Sequence, residues 1–259
     1  MDKDRIIKET KGTLGALAIA LVIRTFLFQP FVIPSGSMYP TLMIGDFLFV
    51  TKYTYGYSKY SFPFAPSLFD GRMMEREKPS LGQVAVFRAP VGKTENILMR
   101  MTIVWDNSMD YIKRVVGLPG DKVQVKDGIL HVNGEACKLE RLDDFTLHDA
   151  RDDSVTVYNR FKETMPNGKT HDILMLYPAG VHPADNTPEY TVPEGHYFVM
   201  GDNRHRSQDS RYMKELGFIP EDHFLGPARL VFFSTDARWY DVLAWIPGIR
   251  VNRIMTTIE

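Results

Sequence analysis

Apolar residues run almost unbroken from Gly12 to Ile33, and Arg24 is the only charge between Gly12 and Gly45. As a helix this run reaches about 33 Å, enough for a bilayer and part of its interfaces. Lys3, Arg5, Lys8 and Lys11 precede it against Asp2, Asp4 and Glu9, and the excess of basic residues places the amino terminus in the cytoplasm. The pattern therefore predicts a cytoplasmic terminus over 1–11, a single transmembrane anchor over 12–33, and everything beyond about residue 34 on the outer face. Two other readings stay open. A cleavable signal peptide also has a basic start and an apolar run, and Ala16-Leu17-Ala18 resembles a cleavage site, although it lies early, inside the run. The third reading is a buried core helix, in which Arg24 carries no membrane cost.

After Pro34 the apolar positions alternate. Phe47–Thr51, Gln83–Arg88, Tyr111–Val116, Lys122–Lys126, Ile129–Val132, Tyr197–Met200 and Arg229–Phe233 have a period of two, punctuated by Gly-Asp, Pro-Gly-Asp and Asn-Gly turns. Such runs predict mainly antiparallel β structure. Asp127-Gly128 and Asn133-Gly134 flank Ile129–Val132 and predict a hairpin or meander. Tyr53–Glu77 has no periodicity and reads as a long loop. Asp143–Lys169 is charged and turn-rich, with a strand at Ser154–Arg160. The fold class is thus mainly β: an antiparallel core over 34–121 and 197–259, interrupted by an inserted β subdomain over 122–196 and preceded by the helix.

Composition adds limits. Of 259 residues, 44% are hydrophobic and 24% charged, which is ordinary for a chain with a real core. The net charge of −1 and the lack of a basic cluster exclude a broad nucleic-acid surface. Cys137 is the only cysteine and cannot form an internal disulfide.

Three elements carry candidate chemistry. Lys113 lies in Tyr-Ile-Lys-Arg-Val-Val, an apolar strand in which a buried ammonium would lose its proton easily and could act as a base. A lysine beside an arginine on a strand is otherwise an ordinary solvated edge residue. Ser37, in Pro34-Ser35-Gly36-Ser37-Met38-Tyr39-Pro40-Thr41-Leu42, follows the anchor directly; a serine hydroxyl needs such a base to become a nucleophile. Neither His-Glu-x-x-His nor Gly-x-Ser-x-Gly occurs. The third element is the polar run Gly201–Arg211, in which Ser207 could hold the lysine amine and an Asp209/Arg211 ion pair could fix the loop. His205 and Asp209 in that run keep a Ser/His/Asp mechanism formally open.

Together, Pro34–Leu42, Tyr111–Asp121 and Gly201–Arg211 resemble the corresponding motifs of bacterial type I signal peptidase, the membrane-anchored Ser/Lys protease. The resemblance extends from the anchor to about residue 240. It implies Ser37 as nucleophile and Lys113 as general base, without metal or other cofactor. The Ser35 hydroxyl and the Ser37 amide would form the oxyanion hole, Ser207 would orient the lysine, and Asp209 and Arg211 would support it. Met38, Tyr111 and the strand Gln83–Phe87 would line a cleft for preproteins with small residues before the scissile bond. The implied setting is a monomer on the outer face of the bacterial cytoplasmic membrane. Family members often carry aspartate where His205 stands and Gly-Asp in place of Gly82-Gln83. A non-enzymatic binding module using Tyr53–Phe69 is the alternative class. Membrane-interface contacts by Phe62, Phe64, Phe69, Trp239 and Trp245 are weighed evenly against core packing.

Overall fold

The computed structural model describes residues 3–62, 69–90, 110–149, 154–237 and 246–258, with side chains from residue 8 onward. Its helix spans Lys3–Phe26 and then gives way to the strand Phe28–Val32. The helix expected to continue to residue 33 therefore stops short. Pro30 explains this, because proline inside a helix removes one hydrogen bond and clashes with the preceding turn, whereas an edge strand tolerates it. Pro30 sits opposite Phe49 on such an edge. Among the described residues, no helix is long and apolar enough to cross a membrane. The middle of the helix nonetheless presents apolar side chains outward: Leu14, Leu17, Ile19, Leu21 and Val22 are each more than half exposed.

An eight-stranded antiparallel sheet forms the main body. Its order is Phe28–Val32, Asp46–Thr51, Phe224–Ser234, Val84–Arg88, Asp110–Gly117, His196–Met200 and Ile219–Pro220, with Thr256–Thr257 added beside Phe224–Ser234. Two four-stranded sheets come from the chain between residues 122 and 191. One holds Lys122–Lys126, Ile129–Val132, Glu135–Ala136 and Tyr190–Thr191; the other holds Lys138–Arg141, Phe145–Asp149, Ser154–Thr164 and Thr170–Met175. The meander at Ile129–Val132 is present as expected. Its turn residues Asp127, Gly128, Asn133 and Gly134 all have positive φ, the conformation that two-residue hairpin turns require.

Core packing follows the alternation. Met38, Leu42, Leu48, Val50, Val84 and Val86 form one buried cluster with the strand Phe224–Ser234, and Ala85, Phe87, Val115 and Val199 form another on the opposite side. The loop expected over Tyr53–Glu77 is more ordered than its composition indicates: Lys52–Tyr55 is a helical turn, and Tyr57–Ser58 pairs with Arg72–Met73. Tyr55, Ser58 and Ser61 are buried, whereas Met73 and Met74 are exposed. Phe62 packs edge-on against Phe26 and Phe69 at the end of the helix. Phe64, Trp239 and Trp245 lie outside the described residues.

Candidate active site

The nucleophile loop is built by a tight turn. Residues Gly36–Met38 form one 3-10 turn that leaves Ser37 and Met38 buried. Gly36 is needed because a Cβ there would lie 2.5 Å from the Tyr39 ring, closer than nonbonded carbon atoms can approach. Lys113 comes from the strand Asp110–Gly117, which lies between two neighbours and is no edge. Its cross-strand partner is Ala85, and alternation along the strand sends Lys113 and Arg114 to opposite faces.

Lys113 Nζ lies 2.8 Å from Ser37 Oγ and 2.9 Å from the Ile112 carbonyl. Only 4% of Lys113 is exposed. Burial lowers its pKa to about 8, against the opposing pull of Asp209 and Asp202. A depressed lysine is not by itself a base: Lys52 is also buried and also lowered to about 8, chiefly by desolvation. The difference is the partner, since Lys52 Nζ bonds the Ser61 carbonyl whereas Lys113 meets a hydroxyl.

The other expected residues fall into place unequally. Ser35 Oγ is 3.5 Å from Ser37 Oγ, and the Tyr111 ring centroid is 5.4 Å from Lys113 Nζ. Met38 is fully buried in the core, as are Val84–Phe87. Asp209 and Arg211 form the expected pair at 2.8 Å, and Asp209 also accepts from the Gly201 amide. Burial alone would raise the Asp209 pKa, but the Arg211 charge and these hydrogen bonds hold it below the usual carboxylate range. Ser207 is buried, and its hydroxyl is directed to the Asp209 carboxylate without closing a bond to Lys113. Its position is nevertheless tight against the nucleophile loop: a Cβ on Gly201 would meet both Ser207 Oγ, at 2.2 Å, and the Ser37 carbonyl, at 2.5 Å.

Four further residues hold the site together that alternation and motif reading had not singled out. Arg114 donates from Nε and Nη2 to the two Asp202 oxygens at 2.8 Å and from Nη1 to the Gly82 carbonyl at 2.7 Å. Thr41 Oγ1 donates to the same Asp202. The Asn203 amide donates to the Ser37 carbonyl at 3.1 Å and its side chain to the Gly36 carbonyl at 3.0 Å. Arg114 and Asp202 were visible only as polar residues flanking apolar strands, and nothing local names a partner 88 residues away.

His205 does not join Ser37. Its Nδ1 accepts from the Leu176 and Tyr177 amides, and its Nε2 lies 2.8 Å from Asp185. Asp209 meanwhile belongs to Arg211. The Ser/His/Asp arrangement is therefore not assembled. His182, Asp185 and His205 do bring ligand-type atoms within 4.8 Å of one another. Yet Nδ1 of both rings accepts a backbone N–H, so in the neutral rings the proton sits on Nε2, the atom that would have to bind a metal. The trio is a hydrogen-bonded stack rather than a set of metal ligands.

Residues 6–233 match the family model described as signal peptidase, peptidase S26. Signal peptidase I of Rickettsia prowazekii is 39% identical over 276 residues, covering 100% of this chain and 96% of its own. That of Rickettsia typhi is 41% identical over 260 residues, covering 93% and 90%. A solved signal peptidase I from Enterococcus faecalis matches at 28% identity with a TM-score of 0.30, over 58% of this chain and 97% of that one.

Proposed function

Because the chain belongs to the signal peptidase family, peptidase S26, and so to peptidases that cleave signal peptides, we propose that it is a membrane-bound serine endopeptidase whose Ser37 is the nucleophile and whose Lys113 is the general base. The 2.8 Å approach of a buried amine to a buried hydroxyl carries this reading. Neutral Lys113 takes the Ser37 proton as Oγ attacks the scissile carbonyl. The Ser37 amide and Ser35 hydroxyl receive the developing oxyanion, donors each worth about 3–4 kcal/mol in comparable sites. The lysine ammonium then protonates the leaving amine, and the acyl-enzyme forms. Water, deprotonated by the same lysine, releases the signal peptide and restores Ser37. Ser207 supplies the acceptor for the charged amine between these steps, and its buried hydroxyl, close to the Ser37 carbonyl beside Gly201 and to Asp209, supports that role.

The exposed apolar helix supports membrane attachment. Leu14, Leu17, Ile19, Leu21 and Val22 are more than half exposed, and the basic residues before them favour a cytoplasmic amino terminus with the sheet domain outside. Preproteins with small residues before the cleavage site are the substrates, and the chain acts as a monomer without nucleic acid. The chemistry uses only protein groups and water.

One reconstitution tests both parts. Wild-type protein should float with liposomes and process a preprotein, Ser37→Ala should float but lose activity by at least ~10³-fold, and a chain lacking residues 1–27 should stay at the bottom of the gradient. Processing by Ser37→Ala at the wild-type rate would remove the nucleophile, and flotation of the shortened chain would remove the anchor.

A further inference from the structure

Asn203 grips the nucleophile loop through both the Ser37 and Gly36 carbonyls. The next two residues turn the other way, into the segment between residues 160 and 185. Arg204 is buried against Glu163 through a two-point ion pair, and its amide donates to the Leu174 carbonyl. His205 is held more specifically. Its Nδ1 accepts two amides, Leu176 and Tyr177, each at 3.1 Å, and its Nε2 meets Asp185 Oδ1 at 2.8 Å. The other Asp185 oxygen accepts from the Gly180 and His182 amides. The ring stacks on His182 at 4.6 Å and on Tyr177 at 5.7 Å.

This environment admits one form of the side chain. An acceptor at Nδ1 and a donor at Nε2 define the neutral Nε2–H tautomer. A proton on Nδ1 would face two N–H groups and have nowhere to donate. Asp185 is the anion beside the ring; His182 lies on its face and Arg211 contributes an opposing charge. The ring's hydrogen-bond partners are Leu176, Tyr177 and Asp185 and not Ser37 or Lys113, yet the backbone from His205 to Asn203 is two residues long. A shift at the ring passes directly to the group that fixes the Ser37 carbonyl.

We propose that His205 is a positioning residue for peptide cleavage, a neutral imidazole that pins the Gly201–Arg211 loop to the Thr170–Asp185 segment and thereby sets Ser37 against Lys113. The proposal rests on the reading of Ser37 and Lys113 as the reacting pair. Glutamine is the informative replacement, since its amide oxygen can accept where Nδ1 does and its NH₂ can donate where Nε2 does. Displacement of catalytic groups by about 1 Å can cost on the order of 100-fold in rate.

The test compares full-length wild type, His205→Ala, His205→Gln and Asp185→Asn in detergent-solubilised form on one preprotein. His205→Ala should lower kcat by roughly 10- to 100-fold with KM within about twofold. His205→Gln should recover most of that loss with the same pH profile as wild type, and Asp185→Asn should lower kcat less than His205→Ala. Wild-type kcat in His205→Ala would overturn the proposal, as would a glutamine variant as inactive as a Ser37→Ala control, because the imidazole would then act in the chemistry itself. If His205→Ala does not fold, wild-type kcat in Asp185→Asn together with an inactive His205→Gln overturns it. Full activity in a parallel Lys113→Met control would instead strike the underlying reading and leave the His205 result separable.

Discussion

Replacement of Lys113 by methionine is expected to reduce preprotein cleavage by at least ~10³-fold and, at the same time, to make the protein more stable. Activity falls because methionine has no lone-pair amine to take the Ser37 proton. Stability rises because the native protein keeps an amine in surroundings that oppose its charge. With the folded pKa near 8 against about 10.4 unfolded, the cost at neutral pH is on the order of 3 kcal/mol. The sign is fixed by proton binding: between pH 8 and 10.4 the unfolded chain holds a proton that the native one has lost, so the burden shrinks as pH rises and is fully present below 8. Urea midpoints for the two proteins should therefore differ at pH 7 and converge above pH 10. Equal stability at pH 7 would show that Lys113 is not held in an unfavourable setting.

Asp202→Ala is expected to be the most damaging change to stability, at about 3–5 kcal/mol. Arg114 and Asp202 are 2% and 1% exposed, and alanine would take both carboxylate oxygens away from a buried guanidinium. By contrast, the surface pair of Lys78 and Glu221 is screened by solvent and belongs to a class that contributes little. Burial by itself would raise the Asp202 pKa, but Arg114 and the hydrogen bond from Thr41 hold it low. The stabilisation is thus present at neutral pH and lost as pH falls through the carboxylate range. A loss below 1 kcal/mol on chemical denaturation, with the slope unchanged, would contradict this account of the site's framework.

Much of the architecture was legible because alternation is a local signal. Tyr111–Val116, Lys122–Lys126 and Tyr197–Met200 are strands as expected, and Asp127-Gly128 with Asn133-Gly134 set the turns that join Lys122–Lys126, Ile129–Val132 and Glu135–Ala136. Lys113 and Ser37 could be paired on chemistry before geometry brought them together. The misses share a physical cause. Hydropathy alone extends the helix through Phe28–Val32, where Pro30 and pairing to Asp46–Thr51 decide otherwise. Lys138–Arg141 and Thr170–Met175 are strands whose charged residues obscure the period until they lie beside Ser154–Thr164. The Tyr53–Glu77 segment owes its order to buried contacts, among them Lys52 Nζ to the Ser61 carbonyl, which no local pattern encodes. Partner choice is likewise nonlocal: Arg204 could be read as polar, but not as the mate of Glu163.

The central claim is that a lysine neutralised by burial, rather than a histidine, activates Ser37. The most direct measurement is the pH dependence of kcat/KM for preprotein cleavage by the wild-type enzyme, with His205→Gln alongside. Activity should rise with pH to a plateau on a single acidic limb near 8, the value set by burial of Lys113, and the limb should stay in place in the glutamine variant. An acidic limb below the ordinary histidine value, where burial moves His205, that disappears with His205→Gln would contradict the claim.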